Sequence, residues 1–124
     1  MSEEMKEELF NFEKLEVYKK SLDFVNSVYD VTSIFPKEER FVLVDQFRRA
    51  AVSISLNIAE GADSSNLQFK RYLKISKGSI RECIAIISLC RMRNYIDKNK
   101  EQELRNHCSE IARMLSGLIK SLNK

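Results

Sequence analysis

The stretch from Gln46 to Ser65, QFRRAAVSISLNIAEGADSS, decides the fold. Phe47, Ala51, Ile54 and Ile58 recur at the four-three-four spacing of one helical face, so the segment reads as an amphipathic helix. Ala50, Ala51, Ser53, Ser55 and Ala59 surround that face, and side chains this small let a neighbouring backbone come close. Arg48 and Arg49 stand near the start of the helix, Asn57 and Glu60 near its end. Gly61 comes after the last apolar turn, where helices commonly leave through a left-handed residue, and it reads as the helix-terminating turn.

On the N-terminal side, Pro36 separates this helix from an earlier one, because the residue before a proline is pushed out of the helical region. The earlier helix is predicted from Phe12 or Glu13 to Ile34. Its seam is Leu15, Tyr18, Leu22, Val25, Tyr29 and Thr32, with Val17, Phe24, Val28 and Val31 widening the face. The second helix then begins near Lys37 or Glu38, where two carboxylates suit a positive helix N-terminus. It adds Leu43 or Val44 to its apolar face and runs to Glu60.

On the C-terminal side, residues 61–65 read as a short loop in which Ser64 or Ser65 caps the next helix. This third helix is predicted from about Asn66 to Arg93. Phe69, Leu73, Ser76, Ile80, Cys83 or Ile84, Ile87 and Cys90 form its seam, and Tyr72, Ile75, Ser79 and Ile86 lie on a second flank. Asn94 to Ile96 make a turn, with Asn94 tolerating the left-handed conformation. Asp97 is the predicted N-cap of a last helix carrying Leu104, Cys108, Ile111, Leu115, Leu118 and Leu122. Four amphipathic helices on short connections bury their stripes only together. The fold class predicted is therefore all-α, an antiparallel up-down-up-down four-helix bundle over residues 12–124. Residues 1–11 read as an acidic, flexible lead that Phe10 and Phe12 dock onto the body.

Composition agrees. The chain has 124 residues, the length of one domain, and its three glycines and one proline leave little room for a turn-rich β fold. Twenty-one Lys and Arg face eighteen Asp and Glu, but Glu3, Glu4, Glu7, Glu8, Glu13 and Glu16 crowd one end, so the remainder is more basic than the total of +3 implies. The three cysteines each sit among apolar neighbours, which suits reduced core thiols rather than a disulfide frame. The acidic start lacks the apolar run of a secretory signal, and no apolar stretch approaches the ~20 residues of a membrane span. A cytoplasmic location is the expectation.

A resemblance is carried by particular strings. Gln46-Phe47-Arg48-Arg49-Ala50-Ala51, Ser53-Ile54 and above all Asn57-Ile58-Ala59-Glu60-Gly61 resemble the signature of the four-helix-bundle proteins encoded in intervening sequences of bacterial 23S ribosomal RNA genes. The accessory proteins of diversity-generating retroelements are related to these. Leu15-Glu16-Val17-Tyr18, Thr32 with Phe35-Pro36, Gly78-Ser79, Met114-Leu115 and Leu118-Ile119 support the match, which covers nearly everything from Phe12 onward. The resemblance implies a homo-oligomer, a ring of five subunits. It also implies a structural rather than catalytic role for Asn57 and Glu60.

The third helix holds the most informative polar pattern. Lys70, Lys74, Lys77 and Arg81 are spaced four, three and four, and fall within an arc of roughly 60°. They form a cationic stripe ~16 Å long, on the face predicted to lie opposite the core. Glu82 is the only acid of that helix. Such a stripe could track the phosphates of RNA or DNA, against the plain alternative of a solvated face. Arg48, Arg49, Asn57 and Glu60 read as a structural polar network fixing register between helices. Tyr18, Tyr29 and Tyr72 lie on helical faces and read as packing, leaving Tyr95 as the freest to stack on a base. Tyr72, Ile75 and Ile86, with the small residues of the second helix, offer surplus packing surface suited to a subunit interface.

No catalytic group is assembled. His107 is the only histidine, and its neighbour Cys108 diverges from it by ~100° on a helix, so the two make neither dyad nor chelate. Paired zinc ligands and the Glu-x-x-His motifs of a di-iron bundle are missing, as are phosphate loops, dinucleotide fingerprints and nucleophile elbows. The expectation is a protein with no enzyme activity, cofactor, metal, membrane contact or small-molecule substrate. Its predicted role is a ring-forming bundle that binds nucleic acid with little sequence specificity through basic residues. The alternative is a protein-interaction scaffold, such as an accessory subunit of a polymerase-like partner.

Overall fold

A computed structural model describes residues 9–123. Most of the acidic lead, including Glu3, Glu4, Glu7 and Glu8, lies outside the described residues, and so does the expectation that it is flexible. Four α-helices account for nearly all the rest: α1 over Glu16–Thr32, α2 over Leu43–Ala62, α3 over Asn66–Met92 and α4 over Lys98–Ser121. Short 3-10 helices over Asn11–Lys14 and Lys37–Glu39 precede α1 and α2.

The direction of each helix is set by its contacts. Ser21 of α1 meets Ser55 of α2 while Thr32 meets Arg48. Ser53 of α2 meets Ser79 of α3, and the Ile54 carbonyl accepts from Ser76. Lys70 and Lys77 of α3 reach Asn123 and Ser116, on the α4 side, and Arg105 of α4 reaches back to Ser88. Lys20 and Phe24 of α1 lie against Glu110 and His107 of α4. In every pair, numbers rise on one helix as they fall on the other, so each neighbour is antiparallel and the four helices close a square.

The core is what the apolar periodicities require. Phe24, Phe47, Ile58, Leu73, Ile87 and Leu104 are fully buried, each burial contributing ~1.5–3 kcal/mol. All four predicted α2 seam residues are at the centre, and both Leu43 and Val44 join them. The caps of the second half also form as read. Ser65 accepts from the Gln68 amide at 3.2 Å, Asp97 accepts from the Lys100 amide at 2.8 Å, and Asn94 adopts φ 64°.

The first half needs corrections. The first helix does not begin at Phe12. A 3-10 turn over Asn11–Lys14 occupies that position, Leu15 is extended, and α1 starts at Glu16. Phe12 does dock, with its ring edge-on to Tyr18 at 5.0 Å, whereas Phe10 stacks outside it and is exposed. The α1 seam is rotated from the predicted one: Val17, Ser21, Phe24, Val28 and Val31 are buried, while Leu22 and Tyr29 are exposed. Buried Ser21 takes part in a hydroxyl pair with Ser55 at 2.8 Å, so a polar residue occupies a core position with its bond satisfied. The second helix starts at Leu43 rather than near Lys37, because Val42 breaks the helical backbone.

Gly61 is the clearest correction. It does not terminate α2, which continues to Ala62, and no glycine has positive φ. Its role is space. A Cβ built at Gly61 would lie 2.7 Å from Tyr72 Cβ and 3.0 Å from Phe69 Cδ1. The glycine therefore lets the start of α3 pack directly on the end of α2. The small residues of α2 act in the same way. Ala50, Ala51, Ser55 and Gly61 are buried, and Ser53 bonds Ser79, so most of this face is taken up by packing inside the chain.

Candidate nucleic-acid interface

The four cations of α3 form one row, and α4 fixes where that row lies. Lys70 Nζ donates to Asn123 Oδ1 and Lys77 Nζ to Ser116 Oγ, both at 2.8 Å. Lys70 and Lys77 are half-buried, whereas Lys74 and Arg81 are exposed. The stripe is thus not opposite the core, as its spacing suggests. It runs along the outer lip of the α3–α4 seam, with alternate members leaning onto α4.

That placement recruits two residues that the sequence pattern left unmarked. Arg113 and Lys120 stand three before and four after Ser116, on the same helical face, and both are exposed. Reading α4 for its core seam hid them; its outer face carries the signal at the same spacing. The six cations line one side of the bundle, and none is ion-paired with a carboxylate among the described residues. The nearby acid of α4, Glu110, is turned to Lys20 of α1 at 3.5 Å.

The polar residues of α2 do not form one network. Arg48 reaches α1, donating from Nε to Thr32 Oγ1 at 2.9 Å and stacking over the Tyr29 ring at 4.3 Å. Arg49 pairs with Asp45 one turn earlier, at 3.1 Å on an exposed surface. Asn57 donates to the Ser53 carbonyl and hydroxyl. Glu60 is exposed and joins none of these. Arg48 and Asn57 do tie their helix to others, Asn57 through the Ser53–Ser79 pair, but through separate contacts.

Tyr95 is not the free tyrosine. Its hydroxyl donates to Glu39 Oε2 at 2.7 Å and its ring lies 5.0 Å from Phe35, so it fastens the α3–α4 turn to the connection before α2. Tyr29 is the exposed one, and it holds Arg48. Of the three residues read as a subunit interface, Ile86 is only 2 % exposed and Tyr72 packs on Gly61; Ile75 alone stands well out, at 51 %.

Nothing in the arrangement points to catalysis. His107 is half-buried against Phe24, with ring centroids 6.0 Å apart. Burial pushes the Cys90 and Cys108 thiols up to about 12 and raises Cys83 as well, which keeps all three protonated and unreactive. Among the described residues no cluster of His, Cys, Asp and Glu is placed to hold a metal, and no helix is long and apolar enough to cross a membrane.

A family model described as 23S rRNA-intervening sequence protein matches residues 13–117. The chain belongs to the 23S rRNA-intervening sequence protein family. The match takes in all four helices, though it ends before the last turn of α4. A protein of unknown function from the S23 ribosomal protein family of Bacteroides thetaiotaomicron VPI-5482 has a similar solved structure. Its TM-score is 0.77 at 27% identity, over 84% of this chain and 95% of that one. No curated protein matches. The Asn57-to-Gly61 string of this 23S rRNA-intervening sequence protein is therefore explained by packing: a glycine under Tyr72, and an asparagine on the hydroxyl pair that joins α2 to α3.

Proposed function

We propose that this 23S rRNA-intervening sequence protein is a non-enzymatic, ring-forming bundle that binds RNA or DNA through its phosphates. The observation that carries the reading is the row of six cations, Lys70, Lys74, Lys77, Arg81, Arg113 and Lys120, on the outer α3–α4 face. Two rows on adjacent helices match a backbone better than one, and binding of this kind carries no base information. A cyclic assembly repeats the face and multiplies a weak affinity. Leu56 and Ile75, 62 % and 51 % exposed and at one level of the α2–α3 pair, offer an apolar subunit contact.

The test is fluorescence anisotropy with RNA and DNA across a salt series, on material whose mass is set by light scattering. Affinity should fall steeply with salt, with a logarithmic slope of about −0.9 for each phosphate contacted on duplex. Changing Lys70, Lys74 and Lys77 to Glu should abolish binding while leaving the helical spectrum intact; unchanged affinity would mean that the stripe is only solvated surface. Leu56→Glu with Ile75→Glu should reduce the particle mass to that of a monomer, and an unchanged mass would move the subunit contact elsewhere.

A second reading, a protein-interaction scaffold, is favoured by one feature. Ile34, Phe41, Val42 and Met92 are all more than half exposed, and all lie at the end of the bundle where α1 and α3 finish. Failure to bind any nucleic acid at low salt would shift the reading to this apolar end.

A further inference from the structure

The connection between α1 and α2 encloses a second basic feature, at the other end of the bundle from Lys70 and Asn123. A cleft of about 390 Å³ is lined by Lys37, Arg40 and Arg48 together with the hydroxyl residues Thr32 and Ser33, and no carboxylate lines it. Two of the acids that neighbour these cations in sequence are engaged elsewhere. Glu39 accepts from Tyr95, and Asp45 pairs with Arg49. Glu38 is exposed and outside the lining. A volume of this size falls within the ~300–1,000 Å³ of ordinary small-molecule sites.

The cleft is also pre-shaped. Arg48 rises from a continuous helix and is fixed on two sides, by Thr32 Oγ1 at Nε and by the Tyr29 ring beneath its guanidinium. Thr32 is itself held, donating to the Val28 carbonyl at 2.6 Å. Lys37 opens and Arg40 follows a 3-10 turn that is pinned from the far side by Tyr95, through Glu39 and Phe35. Cations near a helix C-terminus often serve only to offset its dipole. Here only Arg48 reaches an α1 carbonyl, that of Tyr29 at 3.5 Å, while Lys37 and Arg40 are bonded to none among the described residues.

We propose that this cleft binds a phosphate monoester. Three cations around one concavity suit a compact dianion with three terminal oxygens, each able to accept more than one charge-assisted bond, while the Thr32 and Ser33 hydroxyls give their protons to the Val28 and Asp30 carbonyls. A planar carboxylate would use one guanidinium fork and leave two charges unmatched. A backbone diester carries one charge and must continue on both sides of the phosphorus. The site is independent of the α3–α4 face, so it stands or falls separately from nucleic-acid backbone binding. Two sources present the same chemistry, a free nucleotide and the 5′-phosphate end of a nucleic acid.

The experiment is calorimetric or NMR titration of the intact chain with inorganic phosphate, a nucleoside 5′-monophosphate, and one short oligonucleotide with and without its 5′-phosphate. Phosphate and the monophosphate should bind, more tightly at pH 7.5 than at pH 5.5, because a monoester loses its second proton near pH ~6. Lys37→Gln with Arg40→Gln, both exposed, should weaken binding about tenfold or more at unchanged melting temperature. Arg48→Lys, which keeps the charge and loses the fork, should weaken it too. The Lys70, Lys74, Lys77 to Glu variant should bind phosphate as well as the parent. A mononucleotide binding better than the phosphorylated oligonucleotide assigns the site to a small ligand, and the reverse order assigns it to a nucleic-acid end. No binding of phosphate or monophosphate at millimolar concentration and low salt would overturn the proposal. Equal affinity in the Lys37/Arg40 variant would do the same.

Discussion

Two seams of this bundle are built on opposite terms. Between α2 and α3 the contact residues are small and paired: Gly61 under Tyr72, Ser53 on Ser79, Ser76 on the Ile54 carbonyl. Between α1 and α4 they are mostly apolar and leave a gap. Leu15, Val17, Met114, Gly117 and Leu118 line an open apolar groove of about 340 Å³. The first seam favours one register, because each of these hydroxyls has a single partner on the facing helix and the glycine leaves no room for a side chain. The second relies mainly on apolar contact, which is non-directional, with one exposed ion pair, Lys20 to Glu110, at its surface. Specificity of the fold therefore resides mainly in α2–α3, the pair that also contains the sequence strings by which the family is recognised.

The largest test of that contrast is Gly61→Leu. It should cost more than about 3 kcal/mol, because the added atoms meet Tyr72 near the backbone, where nothing yields. A chain that still melts as the parent does would show that Gly61 does not set the α2–α3 distance. Gly61→Ala is the finer version. Alanine gains up to ~1 kcal/mol in helix propensity, yet a contact at 2.7 Å should outweigh it, for a net loss of ~1–3 kcal/mol by chemical denaturation.

Alkaline pH probes both sides at once. The buried thiols have raised folded-state values, about 12 for Cys90 and Cys108, against ~8.5 in an unfolded chain. A raised acid favours the fold while it stays protonated. Its contribution is complete below pH ~8.5 and declines as pH rises toward 12, since only the unfolded chain ionises in that window. The melting temperature should be level from pH 6 to 8 and fall from pH 9 to 11, and a cysteine-free variant should show a shallower fall. Thiol labelling near pH 8 separates the sides. If the groove-lined seam opens first, Cys108 on α4 reacts before Cys83 and Cys90 on α3, and simultaneous reaction would mean that the two seams open as one unit. The smallest effect belongs to Gly117→Ala. Open space surrounds that position, so the change should stabilise by ~0.5–1 kcal/mol, the opposite sign to Gly61→Ala.

The legibility of the sequence divides along the same line. The last two helices, their caps at Ser65 and Asp97, and the left-handed Asn94 are local matters, and local pattern shows them. The α1 seam is not local. Two stripes of comparable apolar content lie side by side, and the one chosen is fixed by Ser21 meeting Ser55, which no hydrophobic pattern flags. Gly61 looks like a helix stop because glycine usually is one after an apolar run. The reason it is something else is Tyr72, on the next helix. At the cationic face, spacing marks the four α3 residues but not their lean onto α4, which depends on Ser116 and Asn123. The cleft of Lys37, Arg40 and Arg48 has no sequence signature, because its three charges come from a turn and a helix that only folding brings together.

The two seams also differ in time. The α2–α3 contacts join helices linked by a three-residue turn, whereas α1 meets α4 across most of the chain. Loop closure favours nearby partners, so the α2–α3 hairpin is the natural nucleus and the α1–α4 closure the natural last step. Of the four helices, α4 is also the last to leave the ribosome. Until it docks, the apolar faces of α1 and α3 that it covers remain open to water or to a chaperone, and Lys70 and Lys77 have no Asn123 or Ser116 to lean on. The cationic face is therefore a product of the final packing step of the bundle, complete only once α4 has docked.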